Sequence, residues 1–119
     1  DECPLLEELQ IIAASPLSHV ILIDDARLFT SPPPLPHNAA QWPKIDEVMA
    51  ALTTTKEKPV IVIIDDVIVA APPMARDIME AYCRSVNAEI TAEHLKQLRK
   101  LHRFDWLKRI IYKIRKIVR

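Results

Sequence analysis

The chain contains no glycine but ten prolines, and this composition restricts the turns and loops that it can form. Glycine is the usual residue wherever the backbone needs a positive φ or must approach a phosphate closely. Its absence excludes a P-loop and a glycine-rich dinucleotide-binding loop from these 119 residues. We therefore expect proline, asparagine and aspartate to make the turns.

Two apolar runs predict the strands. Residues 19–24, HVILID, form a continuous rather than an alternating run, which is typical of a strand covered on both faces, as in a parallel sheet. Residues 59–71, PVIVIIDDVIVAA, predict two strands around Asp65 and Asp66, which would form the two-residue turn of a hairpin. One long bent strand is the alternative for this segment.

Helices are predicted on either side of these strands, because apolar residues recur there at three- and four-residue spacing. The first helix covers residues 4–14, the second covers about 43–53, and the third covers about 73–86. Asn87 is expected to end the third helix in the αL conformation that glycine usually adopts. Residues 30–36, TSPPPLP, fit neither a helix nor a central strand and predict an extended loop.

The order of these elements predicts an α/β fold. The strand–helix–strand step from 19–24 to 59–65 favours a right-handed parallel crossover, which a last antiparallel strand would follow. Three strands are few for a sheet whose first strand needs cover on both faces. We therefore expect an N-terminal segment outside this chain, or another protein chain, to supply further strands.

The charge of the chain is divided unevenly, although the formal net charge is zero. Residues 93–119 hold ten Lys and Arg against two acidic residues, whereas residues 1–92 hold six against fourteen. Such an asymmetry suggests an anionic partner for the basic part. The predicted organisation is therefore an α/β part, 1–88, followed by a basic amphipathic helix, 89–119.

The basic helix is predicted to begin at Thr91 as N-cap and to run to Arg119. Its apolar residues predict one apolar stripe, which consists of Leu95, Leu98, Leu101, Phe104, Leu107, Ile111, Ile114 and Val118.

The composition of the last sixteen residues, FDWLKRIIYKIRKIVR, is typical of a helix that lies on an anionic membrane surface. Packing against its own domain or a partner protein is one alternative, and a nucleic-acid contact, which charge alone supports, is another. The residues predicted to make the membrane or partner contact are Trp106, Lys108, Arg109, Tyr112, Lys113, Arg115, Lys116 and Arg119.

The remaining sequence signals concern location and metals. Two distant cysteines, Cys3 and Cys83, predict neither a disulfide framework nor a metal knuckle and favour a reducing compartment. No stretch is apolar enough to cross a membrane, and no secretory signal is visible. The expected location is the cytoplasm, at the periphery of a membrane if the basic helix binds one. His94 and His102 lack a ligand spacing, so no metal site is predicted.

Three segments together carry a family resemblance. CPLLEEL, HVILIDDARLF and the WPxxDEV pattern, followed by a strand pair around two aspartates, resemble the C-terminal part of bacterial methyltransferase-like proteins. Those proteins are similar to class I S-adenosylmethionine-dependent methyltransferases. The resemblance covers roughly residues 3–71, and the DDAR segment is its most specific part.

The resemblance implies a partial Rossmann-like, three-layer sandwich with a helix, a strand that ends in acidic residues, a helix and a final antiparallel strand pair. It implies a methyltransferase-like function with S-adenosylmethionine as cofactor, and it does not indicate the methyl acceptor. The family's glycine-rich loop and ribose-binding acidic residue belong to the first half of the fold, so this chain alone is expected to be inactive. The alternative is a non-catalytic interaction module whose basic helix makes the contacts.

Four residues are the candidates for a catalytic site. Asp24, Asp25 and Arg27 follow the first predicted strand, and ligands of open α/β sheets bind beyond the carboxyl ends of strands. The carboxylates could hold a hard cation or act as a base. The alternative is that one aspartate caps the turn while the other pairs with Arg27. His37, in the proline-rich loop near Trp42, could be a general base or an ordinary solvated histidine.

Overall fold

A computed structural model describes residues 2–117 of the chain. The chain divides into two compact units, Asp1–Glu80 and Ala81–Arg119. Its elements, with two 3₁₀ turns at Ala39–Gln41 and Pro73–Ala75, are α1 (Leu5–Ala13), β1 (Ile21–Ile23), α2 (Arg27–Thr30), α3 (Ile45–Leu52), β2 (Val60–Ile64), β3 (Val67–Ala71) and α4 (Arg76–Ile117). The structure is therefore mixed α/β, with three strands and a long C-terminal helix.

The strand order of the sheet is β1-β3-β2, and β3 is antiparallel to both of its neighbours. Val69 of β3 faces Leu22 on one side and Val62 on the other. Strands β1 and β2 consequently run in the same direction, as the sequence predicted, but they do not pair with each other. The hairpin returns β3 into the position between them, and this antiparallel last strand was also predicted.

The β2–β3 hairpin has the predicted two-residue turn. Asp65 and Asp66 have φ angles of 50° and 64°, and Ile64 faces Val67 across the strands. Positive φ at both central residues is the feature of a type I′ turn, which matches the twist of a hairpin. Aspartate tolerates this conformation better than most residues, because its short side chain bonds locally. The alternative of one bent strand is therefore wrong.

The core of the first unit lies between one face of the sheet and the helices α1 and α3. Ile23 of β1 and Ile68 of β3 face each other across the strands, and Ile68 is fully buried. The eight buried residues of this cluster are Leu9, Ile23, Ala26, Phe29, Val48, Leu52, Ile68 and Ala70. Apolar helix faces and alternate strand residues thus meet in one core. Because Ile23, the last residue of β1, is part of this core, the carboxyl end of β1 is held in place.

Strand β1 lies at one edge of the sheet, and its apolar residues are only partly covered. One edge of β1 pairs with β3, and no strand of the described residues pairs with the other edge. Leu22 is 67% exposed and Val20, just before the strand, is 65% exposed. An edge strand with exposed apolar side chains is an aggregation risk that proteins usually cover or pair.

Helix α4 is continuous over 42 residues, from Arg76 to Ile117, so it extends for about 63 Å. The predicted stop at Asn87 and the predicted new start at Thr91 are both absent. Asparagine costs only a fraction of a kcal/mol, up to about 0.7, in a helix interior, and no glycine or proline interrupts this segment. None of the residues of α4 is buried. Among the described helices, none has both the length and the apolar character needed to cross a membrane.

Candidate functional site

Two loops meet at the carboxyl end of β1. The loop that follows β1 leads into α2, and the tip of the β2–β3 hairpin lies beside it because β3 is antiparallel to β1. The backbone N–H of Ala26 donates a hydrogen bond of 2.7 Å to the carbonyl oxygen of Asp66. The pairing of the strands therefore continues past their ends as a contact between loop and hairpin.

Arg27 joins the two loops through its backbone and its side chain. Its N–H donates to Oδ1 of Asp66 at 2.8 Å, and its Nη1 donates to Oδ2 of the same carboxylate. The same Nη1 lies 2.8 Å from Oδ1 of Asp25. One guanidinium thus contacts two carboxylates and offsets one of their two negative charges. Charge-assisted bonds of this kind are stronger than neutral ones, although exposure to solvent weakens them.

Asp24 and Asp25 shape the turn between β1 and α2. The N–H of Asp25 donates to Oδ1 of Asp24 at 2.8 Å, and Asp25 has a φ of 55°. The carbonyl oxygen of Asp25 accepts a bond of 2.9 Å from the N–H of Leu28. These contacts match the alternative in which one aspartate supports the turn and the other pairs with Arg27.

Asp66 completes this group, and the sequence analysis assigned it only to a turn. We name Asp24, Asp25, Arg27 and Asp66 the Asp–Arg cluster. The signal that could have found Asp66 is its position at a hairpin tip, combined with an antiparallel pairing of β3 with β1. In the part of the chain that the structure describes, no group of three or more His, Cys, Asp or Glu is arranged to hold a metal ion.

His37 belongs to a second cluster, which is built around Glu2. The carboxylate of Glu2 accepts bonds from Nε1 of Trp42 at 3.0 Å and from the N–H of Asn38 at 3.1 Å. Nδ1 of His37 lies 3.4 Å from Oε2 of Glu2, and its ring meets that of Trp42 edge-on at 5.3 Å. The sequence predicted the nearness of His37 to Trp42 and missed Glu2, because nothing local marks a contact across 35 residues or more.

The hydrogen bond from Trp42 is the main cause that holds the pKa of Glu2 below its ordinary value. The N–H of Asn38 and the side chain of His37 lower this pKa further, whereas desolvation acts against the shift. A carboxylate with a lowered pKa stays charged in mildly acidic solution, and it can then hold the ring of His37 in place. Glu2 and His37 therefore fasten the start of the chain to the proline-rich loop.

An apolar groove lies between α2 and the proline-rich loop. Its walls include Phe29, Pro32, Pro33 and Trp42, and Lys44 lies at its side. Phe29 and Trp42 contact each other with ring centroids 5.8 Å apart. Residues of α2, which begins at Arg27, line one wall of the groove, so an apolar group bound there would lie on the carboxyl side of β1.

The predicted contact residues of the basic helix occupy two different sides of α4. At about 100° per residue, six apolar residues span an arc of about 140°, which we name the apolar face; they are Phe104, Leu107, Ile110, Ile111, Ile114 and Ile117. The cations Lys108, Arg109, Lys113, Arg115 and Lys116 occupy the rest of the helix surface, an arc of about 160° that also contains Asp105. Arg119, which was also predicted to make contacts, lies outside the described residues.

The two aromatic residues of this segment differ in position. Trp106 lies at the border between Ile117 and Lys113, whereas Tyr112 lies among the cations. Tyr112 therefore lies outside the apolar face.

The single apolar stripe predicted along the whole basic helix is also wrong. Residues from Leu95 to Leu107 recur every three positions, so the stripe turns by about 240° around the helix over this segment. Leu95 and Leu98 consequently lie on a different side from the apolar face defined above. Within the basic part of α4, the stretch from Phe104 to Ile117 is the one that places its apolar residues on one side of the helix.

Comparison with protein-family models, with curated proteins and with solved structures gave no match to this chain. The resemblance to methyltransferases therefore depends on the sequence segments and on the order of the elements.

Proposed function

We propose that residues 1–88 are the C-terminal part of a class I methyltransferase-type domain. The observation that carries this proposal is the order α1, β1 with Asp24 at its end, α3, and the antiparallel pair β2–β3. The same order is what the CPLLEEL and HVILIDDARLF segments imply through their resemblance. The methyl acceptor is left open in this proposal.

The unpaired edge of β1 supports the proposal that further strands complete the sheet. Exposed Leu22 and Val20 lie on the face of the sheet opposite the core, and elements packed on that face of a larger sheet would cover them. We propose that a preceding segment of a longer protein supplies those strands, with another protein chain as the alternative. Cover on the second face of the sheet would then give the three-layer, Rossmann-like sandwich.

The Asp–Arg cluster would face the ligand side of such a domain, because ligands of open α/β sheets bind beyond the carboxyl ends of the strands. Arg27 contacts Asp25 and Asp66, which favours a positioning role for these three residues. Within the described part of the chain Arg27 makes no ion pair with Asp24, so the carboxylate of Asp24 is the better candidate for a ligand contact. His37, in the second cluster, is proposed only to position the proline-rich loop.

The proposed cofactor is S-adenosylmethionine, held mainly by a glycine-rich loop that this chain does not contain. The first test is to read the coding sequence upstream of Asp1 and then to titrate the protein from the complete reading frame with S-adenosylmethionine by calorimetry. We expect saturable binding of one cofactor per chain. The lack of both an upstream glycine-rich βαβ segment and cofactor binding would refute the methyltransferase proposal.

A pair of matched variants tests the proposed role of Asp24 in the complete protein. Asp24→Asn should weaken cofactor or substrate binding about tenfold if its carboxylate contacts the ligand, since a charge-assisted bond contributes roughly 1.5–3 kcal/mol. Asp65→Asn removes a charge at the nearby hairpin tip and keeps a residue that tolerates positive φ, so it serves as the control. Equal binding by the two variants would exclude Asp24 from the site.

The second function class is a non-catalytic interaction module, and the exposed helix α4 favours it. An enzyme of this class binds S-adenosylmethionine, whereas an adaptor does not, so the titration described above separates the two proposals.

A further inference from the structure

Five of the six residues on the apolar face of helix α4 have exposed side chains. Phe104 is 64% exposed, and Ile114 and Ile117 are 53% and 83% exposed. Large apolar side chains in one contiguous patch of this kind mark a surface that binds a membrane or another molecule. The face occupies an arc of about 140°, which suits a helix that lies flat with its apolar side inserted.

The charges around this face indicate which kind of surface it binds. Residues 104–117 contain five cations and one acidic residue, Asp105, which lies on the side opposite the apolar face. Lys108 and Arg115 border one side of the apolar face and Lys113 borders the other. Their long side chains can keep the charged ends in the headgroup layer while the stems cover apolar surface. A surface that is apolar inside and anionic outside complements the apolar face and the cations that border it.

Trp106 provides an independent argument for a lipid surface. Its side chain is 64% exposed and lies at the border between the apolar face and the cations. Tryptophan prefers the boundary between headgroups and acyl chains, where its ring is apolar and its N–H meets water. A nucleic acid would bind the cations and leave the isoleucines uncovered, so it fits this helix less well.

We propose that residues 104–117 form a docking surface for an anionic lipid membrane, with the apolar face inserted and the bordering cations at the headgroups. This inference does not depend on methyl transfer. It concerns the second unit of the chain, and its failure would leave the cofactor proposal unaffected.

The test is cosedimentation of the full 119-residue chain with vesicles. Vesicles of phosphatidylcholine with about 30% phosphatidylserine are compared with pure phosphatidylcholine at low salt, since salt screens this attraction. We expect binding to the anionic vesicles only. Neutralising one bordering cation, as in Lys113→Gln, should lower the partition coefficient about fivefold. A chain that stays in the supernatant with anionic vesicles would overturn the proposal.

Two adjacent residues provide a matched pair of variants with equal charge. Ile111→Glu places a carboxylate on the apolar face, whereas Tyr112→Glu places it among the cations. We expect Ile111→Glu to reduce partition about fiftyfold, because it adds the loss of an inserted isoleucine to the charge effect. Tyr112→Glu should reduce partition only about fivefold, through its charge alone. Circular dichroism would establish that both variants keep the helix.

The outcomes of this comparison are distinct. Equal losses for the two variants would mean attraction by charge without insertion and would overturn the proposal. DNA or RNA is compared with the anionic vesicles at equal charge concentration. If the chain binds the nucleic acid more tightly, and Ile111→Glu does not weaken that binding, the helix would be a nucleic-acid contact instead. A blue shift of tryptophan emission on vesicle binding that disappears in Trp106→Phe would support the inserted orientation, and an unchanged shift in that variant would contradict it.

Discussion

Arg27 and Asp66 are 39 residues apart in the chain, and two hydrogen bonds join them at the carboxyl end of β1. Because the backbone of Asp66 also accepts a bond from Ala26, the hairpin tip is held on both its main chain and its side chain. This relationship fixes the loop that contains Asp24, the residue to which we assign a ligand contact.

The contribution of this contact can be separated from the strain of the turn. Asp65→Ala and Asp66→Ala each place alanine at a positive φ, at a cost of roughly 1–2 kcal/mol. Only Asp66→Ala also removes the partner of Arg27, so it should lower the free energy of unfolding by about 1 kcal/mol more. Urea denaturation of both variants measures the difference. Identical losses would mean that the contact with Arg27 adds nothing to stability.

The cluster around Glu2 predicts a loss of stability in acid. The folded pKa of Glu2 is lowered from its ordinary value of 4.5, so its contribution to stability is present above that value. The contribution is lost as the pH falls through the lower folded pKa, because the unfolded state then binds more protons. Between neutral pH and pH about 3, the melting temperature of Glu2→Gln should fall less than that of the unmodified protein. Glu57→Gln, an exposed acid in a loop, is the control and should keep the native profile.

The core predicts a large difference between two leucine truncations. Leu52 of α3 is 1% exposed, whereas Leu35 of the proline-rich loop is 92% exposed. Leu52→Ala should cost about 2–5 kcal/mol of unfolding free energy, because it leaves a cavity in the core. Leu35→Ala should change this free energy by less than about 0.5 kcal/mol. A small effect of Leu52→Ala would show that the core can close around the missing atoms.

The continuity of α4 can be tested at Asn87, where the sequence suggested an end. Asn87→Ala should raise helicity slightly, since alanine is the best helix former. Asn87→Pro should cost about 3 kcal/mol and reduce the mean ellipticity, because proline removes one N–H and clashes with the preceding turn. If Asn87→Pro left the ellipticity unchanged, the helix would already be broken at this position in solution.

Local sequence patterns predicted most of the elements and one turn. The runs VILI and PVIVII are apolar and β-branched, so they predict strands, and two adjacent aspartates between strands favour a turn. The pairing of β1 with β3 was not predicted, because both runs are apolar throughout and neither contains a signal that selects its partner. The place of Asp66 beside Arg27 follows from that pairing and was missed for the same reason.

The errors in α4 have a different origin. Asn87 was read as a stop because asparagine often ends helices, yet nothing in 76–117 forbids helix. The predicted stripe relied on three- and four-residue spacing, but the run of threes from Leu95 to Leu107 drifts by about 60° with each step around a helix of 3.6 residues per turn. The surface formed by Phe104 and the isoleucines becomes clear only when each position is placed on a continuous helix.

All three described residues with a positive φ are aspartates, and they are Asp25, Asp65 and Asp66. In a chain without glycine, the residues that bend the backbone at this end of the sheet are also the ones that carry its negative charge. The same aspartate side chains therefore determine both the charge and the backbone conformation at this end of the sheet. Neutralising this edge with alanine or reversing it with lysine would also distort two turns, and asparagine is the substitution that changes the charge while preserving the bend.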